Sequence, residues 1–259
     1  MKVYIHTDLE GVSGIDRAAM IERGGPEFAR CCELLMGDIN AAVDGALEGG
    51  ASEVVVLDSH GGGENFIPGL LDPRAAVDTK PNGKWWGVLD STFGATFFIG
   101  AHAMAGTING FLDHTMSSVH WYEMRVNGRP TGELGLWAIV AGHFGVPLTM
   151  VSGDQAACVE ARAFFPWVTT AEVKRGRGRN RADAAPPEET RERIRRAAAD
   201  AVRCPDGAQP YLPVAPLLCE LTFTRSDYAD DAAGWPGVER VDARTVRWIA
   251  NDRLRILPW

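Results

Sequence analysis

Val3-Tyr4-Ile5-His6-Thr7-Asp8-Leu9-Glu10-Gly11 and Glu53-Val54-Val55-Val56-Leu57-Asp58-Ser59-His60 are two β-rich runs with one helix-length interval between them. Within that interval Phe28, Cys32, Leu35, Met36, Ile39, Val43, Ala46 and Leu47 recur at three- and four-residue spacing over 27–47, and Gly49-Gly50 stops the pattern. This is the period of a helix with one buried face. Strand, helix, strand in that order folds as a right-handed unit with its strands parallel. The 53–58 run is continuously apolar and β-branched, as in a strand buried on both faces. A third run, Ala95-Thr96-Phe97-Phe98-Ile99-Gly100-Ala101-His102, repeats the theme. Each run ends on Asp, Glu or His. Open α/β sheets hold their sites at the carboxyl ends of strands, so three such ends point to one shared site.

Further along, 119–126 reads as a strand and Val126-Asn127-Gly128-Arg129-Pro130 as a turn. A helix is expected over Glu133–Phe144, strands over 146–152 and 168–174, and a helix over 188–202. The basic stretch Lys174-Arg175-Gly176-Arg177-Gly178-Arg179-Asn180-Arg181 and the following Pro186-Pro187 read as a solvated connector, although a basic loop by itself is also an anion site. The last forty residues are β-rich. The expected fold is α/β, a mostly parallel central sheet flanked by helices, with a core over 1–205 and a smaller C-terminal β-rich subdomain over 206–259.

Composition narrows the function. The 259 residues are 46% hydrophobic and 23% charged, with a net charge of −8. That balance disfavours a general nucleic-acid binder, which needs a basic surface. No apolar run approaches the roughly 18 to 20 residues of a membrane span. The chain opens on a strand, without the apolar core of a signal peptide. Five cysteines without a C-x-x-C pair indicate neither a disulfide framework nor a thiolate zinc site. Cys32 is expected in the core, and a reducing, cytoplasmic setting fits.

Asp8 and Glu10 are two apart, so on an extended chain both carboxylates project to one side. Close carboxylates repel unless a proton or cation lies between them. His60 follows a buried strand and precedes Gly61-Gly62-Gly63; His102 ends another. Glu133 opens a helix, where an acidic residue also complements the helix dipole. Three carboxylates and two imidazoles make an oxygen–nitrogen donor set suited to zinc, manganese or iron. Five donors exceed one tetrahedral site with an open position and match a two-metal centre. His114, in a loop twelve residues past His102, is of the residue type suited to a proton shuttle or nucleophile, or is a plain turn residue. Asp58 is placed to orient a ligand imidazole. Asp154 is a weaker candidate, and His6, His120 and His143 read as structural.

Asp8-Leu9-Glu10-Gly11-Val12-Ser13-Gly14, Asp58-Ser59-His60, Gly100-Ala101-His102-Ala103, Asp113-His114-Thr115-Met116 and Arg129-Pro130-Thr131-Gly132-Glu133-Leu134-Gly135 together resemble the M55 peptidase family, the zinc-dependent D-aminopeptidases of the bacterial dipeptide-transport operon. The resemblance runs in order from residue 1 to about 175. It implies two zinc ions per subunit held by Asp8, Glu10, His60, His102 and Glu133, with Asp8 as the bridge; Mn2+, Fe2+ or Co2+ are alternatives. It further implies His114 as the catalytic histidine, short peptide substrates with an N-terminal D-amino acid (D-alanine especially), and a ring-shaped homo-oligomer, a decamer. The competing expectations are a metal-dependent amidase or deacylase on a non-peptide substrate, and a non-catalytic metal-binding scaffold. A phosphoesterase fits less well because the motifs carry no arginine cluster.

Overall fold

The computed structural model describes residues 1–203 and 207–258. Its first half runs β1 (Lys2–Thr7), α1 (Phe28–Glu48), β2 (Glu53–Asp58), β3 (Ala75–Asp78), β4 (Phe93–Ala101), β5 (Trp121–Val126), β6 (Arg129–Pro130) and α2 (Glu133–His143). The second half runs β7 (Leu148–Asp154), α3 (Gln155–Phe164), β8 (Thr169–Gly176), β9 (Ala182–Ala184), α4 (Pro187–Arg203), β10 (Leu217–Phe223), α5 (Ser226–Ala232), β11 (Glu239–Arg240) and β12 (Thr245–Ala250).

Seven strands form one sheet in the order β3-β2-β1-β4-β7-β8-β9, parallel except for the β8–β9 hairpin at its edge. Side chains alternate across it, as strand geometry requires. Val3, Ile5, Val54 and Val56 pack on one face under α1 and α4, through residues such as Leu35, Ile39, Ile194 and Ala198. Tyr4, Val55 and Leu57 point to the other face, where Leu134, Trp137 and Ala138 of α2 and Ala157 and Ala161 of α3 cover them. The chain is α/β with a mostly parallel central sheet flanked by helices.

A second, antiparallel sheet has the order β11-β12-β10-β5-β6. It joins the C-terminal strands to a hairpin from the middle of the chain, so its strands are not all C-terminal. Asn127 and Gly128 turn that hairpin with φ of 50° and 77°, as a two-residue loop needs. α2 lies between the two sheets: Leu136, Ile139 and Val140 meet Leu217, Leu221 and Val246 on the side away from the central sheet. Buried all round, α2 is apolar all round. The domain boundary expected at 205 and 206 lies outside the described residues, as does Cys204.

Two expectations change. β3 has no counterpart in the sequence reading, because four residues, three of them small or exposed, are too few to show a strand period. The basic stretch 174–181 is solvated along most of its length, with Arg175, Arg177, Arg179 and Arg181 exposed, but it is more than a connector. It forms the end of β8 and the turn into β9, and its first residue, Lys174, is buried.

Candidate metal centre

Thr7 pairs with both Asp58 and Ile99, so β2, β1 and β4 end side by side. From β1 the chain builds outward through β2 and β3, then crosses back to lay β4 on the other side of β1. The crevice where strand order reverses is the usual binding site of such sheets. Beyond β1 the chain stays tied to β4: Asp8 N donates to Ile99 O at 2.8 Å and Gly11 N to Gly100 O at 2.8 Å.

This brings together Asp8, Glu10, His60, His102, Glu133 and His114. His60 Nδ1 lies 2.9 Å from Asp8 Oδ1 and 3.1 Å from Glu10 Oε2. His102 Nε2 lies 3.3 Å from Asp8 Oδ2 and 3.4 Å from Glu133 Oε1, and His114 Nε2 lies 3.5 Å from the same Glu133 oxygen. Asp8, Glu10 and His60 can each turn one donor atom into a common space, and so can His102, His114 and Glu133. Asp8 belongs to both groups by contact, one oxygen toward each.

The donor set fits metal ions. Asp8 Oδ2, Glu10 Oε2 and His102 Nε2 are buried without a hydrogen-bond partner. Buried polar atoms are ordinarily satisfied, so three orphans spread over the two donor groups call for cations. A single Nδ1 proton on His60 cannot serve two carboxylates. The charge balance agrees. Burial would depress the His60 imidazole, but Glu10 and Asp8 outweigh it and push its pKa up to about 11. Burial acts the same way on His102, and Glu133 and Asp8 raise it well above its usual value. Burial opposes ionisation of Glu133, yet His102 and His114 hold it at about 2. The cluster is a set of carboxylates that demands positive charge.

Two of the three imidazoles are aimed from behind. His102 Nδ1 donates to Ala103 O at 3.0 Å and His114 Nδ1 to Leu112 O at 2.7 Å, which leaves both Nε2 atoms facing the cluster. Met116 N donates to Glu133 Oε1 at 2.7 Å. Asp58 acts on the loop rather than on a ring. It accepts from Asn65 N and Asn65 Nδ2, both at 2.7 Å, and Asn65 Nδ2 also reaches His60 O at 2.7 Å.

The remaining sequence candidates fall outside the cluster. Asp154 caps α3, accepting from Ala157 N, and also from Phe111 N in the loop that leads to His114. His143 pairs with Asp252, and His120 packs on Tyr228. His6 lies between Phe98 and Trp137, with burial pushing its pKa down to about 3. Sequence reasoning missed Lys174, whose Nζ donates to Glu10 O and Ile15 O, both at 2.7 Å. β8 carries an irregularity opposite Gly153 and Asp154 that leaves Val173 and Lys174 both buried. Strict alternation would have sent the lysine outward.

A cavity of about 180 Å3 opens beside the cluster, with Asp8 and Glu133 in its lining together with His6, Trp85, Trp137 and Lys80. No helix among the described residues is long and apolar enough to cross a membrane.

The peptidase M55 family model, described as D-aminopeptidase, matches residues 1–259. A curated D-aminopeptidase of Bacillus subtilis (strain 168) is 34% identical over 260 residues, covering 98% of this chain and 93% of that protein. A solved structure of the Zn-dependent D-aminopeptidase DppA from Bacillus subtilis, described as a self-compartmentalizing protease, superposes with a TM-score of 0.93 at 33% identity. That match covers 99% of this chain and 94% of the other. With a family match from end to end and a relative at this identity along nearly its whole length, the chain belongs to the peptidase M55 family of D-aminopeptidases.

Proposed function

We propose that this chain is a two-zinc aminopeptidase that releases the N-terminal D-amino acid, D-alanine foremost, from short peptides or amides. The observation that carries the two-metal reading is the Asp8 carboxylate, with Oδ1 2.9 Å from His60 and Oδ2 3.3 Å from His102. Glu10 and His60 would complete one position, His102 and Glu133 the other. Zinc held there would supply Lewis acidity to the scissile carbonyl and to the attacking water. The zinc assignment draws on the M55 relative, which is zinc-dependent.

His114 is the proton-transfer residue. Its Nδ1 proton is fixed on Leu112 O, so Nε2 offers a lone pair at the edge of the cluster. There it takes a proton from the attacking water and returns one to the leaving amine as the C–N bond breaks. Trp85, Leu136 and Trp137 give the adjoining cavity apolar walls. The self-compartmentalizing relative supports an enclosing assembly of subunits; we take it to be a ring-shaped decamer, which light scattering would size. Among the described residues Cys31, Cys32, Cys158 and Cys219 are free and buried, in keeping with a cytoplasmic setting.

The test is release of free amine by zinc-loaded protein from matched L- and D-aminoacyl dipeptides. Cleavage of D-alanyl dipeptides is expected, with chelation abolishing it while the far-ultraviolet circular dichroism stays native. No turnover of any D-configured substrate with zinc bound would overturn the specific reading. Unfolding on chelation, with no turnover beforehand, would favour the scaffold.

A further inference from the structure

β3 ends at Asp78, at the same edge of the sheet as the ligand-bearing ends of β1, β2 and β4. Two residues later comes Lys80, a member of the cavity lining that also includes Asp8 and Glu133. It is the one lysine or arginine among the described residues of that lining, whose walls are otherwise largely aromatic and aliphatic. Asp78 holds it there. The buried Asp78 carboxylate accepts from Lys80 N at 2.7 Å, Tyr4 OH at 2.5 Å and Val88 N at 2.6 Å. Lys80 itself sits at φ 52°, in the left-handed region that a non-glycine residue adopts only under constraint. Among the described residues no carboxylate pairs with its ammonium, and no hydrogen bond of its side chain is found. An ammonium with no partner in the protein, beside apolar walls, is open to a charge-assisted bond from an anion entering the cavity.

We infer that Lys80 is the subsite for the free α-carboxylate of a dipeptide substrate, and so determines specificity for peptides one residue longer than the released amino acid. The inference rests on the aminopeptidase reading above. The substrate end that reacts must lie at the carboxylate and imidazole cluster. Because Lys80 shares one small cavity, about 180 Å3, with Asp8 and Glu133 of the cluster, the anion reaching it belongs to the very next residue.

The test compares D-alanyl-glycine with D-alanyl-glycinamide, which differ only in that carboxylate, on wild-type, Lys80→Met and Lys80→Arg enzymes loaded with zinc. Wild type should favour the free acid in kcat/KM by about 10- to 100-fold, the size of a charge-assisted hydrogen bond. Lys80→Met should lose most of that preference through a raised KM on the acid, and Lys80→Arg should keep most of it. Equal wild-type rates on the two substrates, or a preference that survives in Lys80→Met, overturn the carboxylate assignment and leave the aminopeptidase reading standing. If zinc-loaded wild type cleaves neither, the aminopeptidase reading falls and this assignment falls with it.

Discussion

His102 and His114 lie ring on ring, with centroids 4.0 Å apart and planes 11° from parallel, and both direct Nε2 to Oε1 of Glu133. Two positive rings so stacked would repel, so the pair suits one committed imidazole and one that exchanges a proton. His102 is the committed one, since it also faces Asp8. His114→Ala should therefore lower kcat by about 10²- to 10⁴-fold, the usual weight of a general acid–base. Zinc content and melting temperature should hold. Loss of one zinc per chain would instead make His114 a ligand, which its grouping with His102 and Glu133 also allows.

Lys174 reaches the centre through the backbone, its ammonium bridging Glu10 O and Ile15 O at 2.7 Å each. The turn that carries Glu10 is thus fixed by one buried side chain from a different edge of the sheet. Lys174→Met keeps the apolar stem and removes the donors. Groups that orient ligands typically carry 10- to 100-fold in metal affinity, and zinc should bind that much more weakly. Titration against a chromophoric chelator reads it directly. Unchanged zinc affinity would show that Glu10 holds its place without the lysine.

The strand–helix–strand start and the apolar 53–58 run were legible because each is a local pattern read at one period. Asp8, Glu10, His60 and His102 were legible for the same reason, as polar residues where such runs stop. Lys174 and Lys80 were not. Lys174 turns inward only because β8 breaks register, and Lys80 matters only because four half-exposed residues before it add an edge strand. The second sheet was half legible: the Asn127-Gly128 turn is a local signal, but its pairing with a strand about ninety residues later is not. Asp58 shows the same limit, since its sequence neighbour His60 is not the group whose side chain it binds.

Glu160 lies behind Gly132, accepting from Met104 N at 2.7 Å, and burial pushes its carboxyl from the usual 4.5 up to about 7. Between those values the folded chain holds a proton that the unfolded chain has released. Stability therefore falls as pH rises through that window. Glu160→Gln keeps the acceptor and removes the charge. Measured by urea unfolding in chelator, the variant should match wild type near pH 4.5 and exceed it at pH 8 by up to about 3 kcal/mol. Equal stability at pH 8 would mean that the carboxylate ionises there without penalty.

Gly100 is where the β4 end meets the turn that carries Asp8. Its φ is +81°, and a Cβ there would lie 2.1 Å from Asp8 O. Both features forbid a side chain, and the second is a collision with backbone that no rotamer relieves. Gly145 gives the control: its φ is +78°, but a Cβ would meet nothing within 4 Å. Gly145→Ala should cost only the left-handed strain, about 1 kcal/mol. Gly100→Ala should cost at least about 3 kcal/mol, because the β1 and β4 ends must separate to admit the methyl group. That separation moves Asp8 away from His102, so the folded fraction should also bind zinc more weakly. Equal losses in the two variants would show that the strand ends tolerate separation and that their close approach does not set the geometry of the centre.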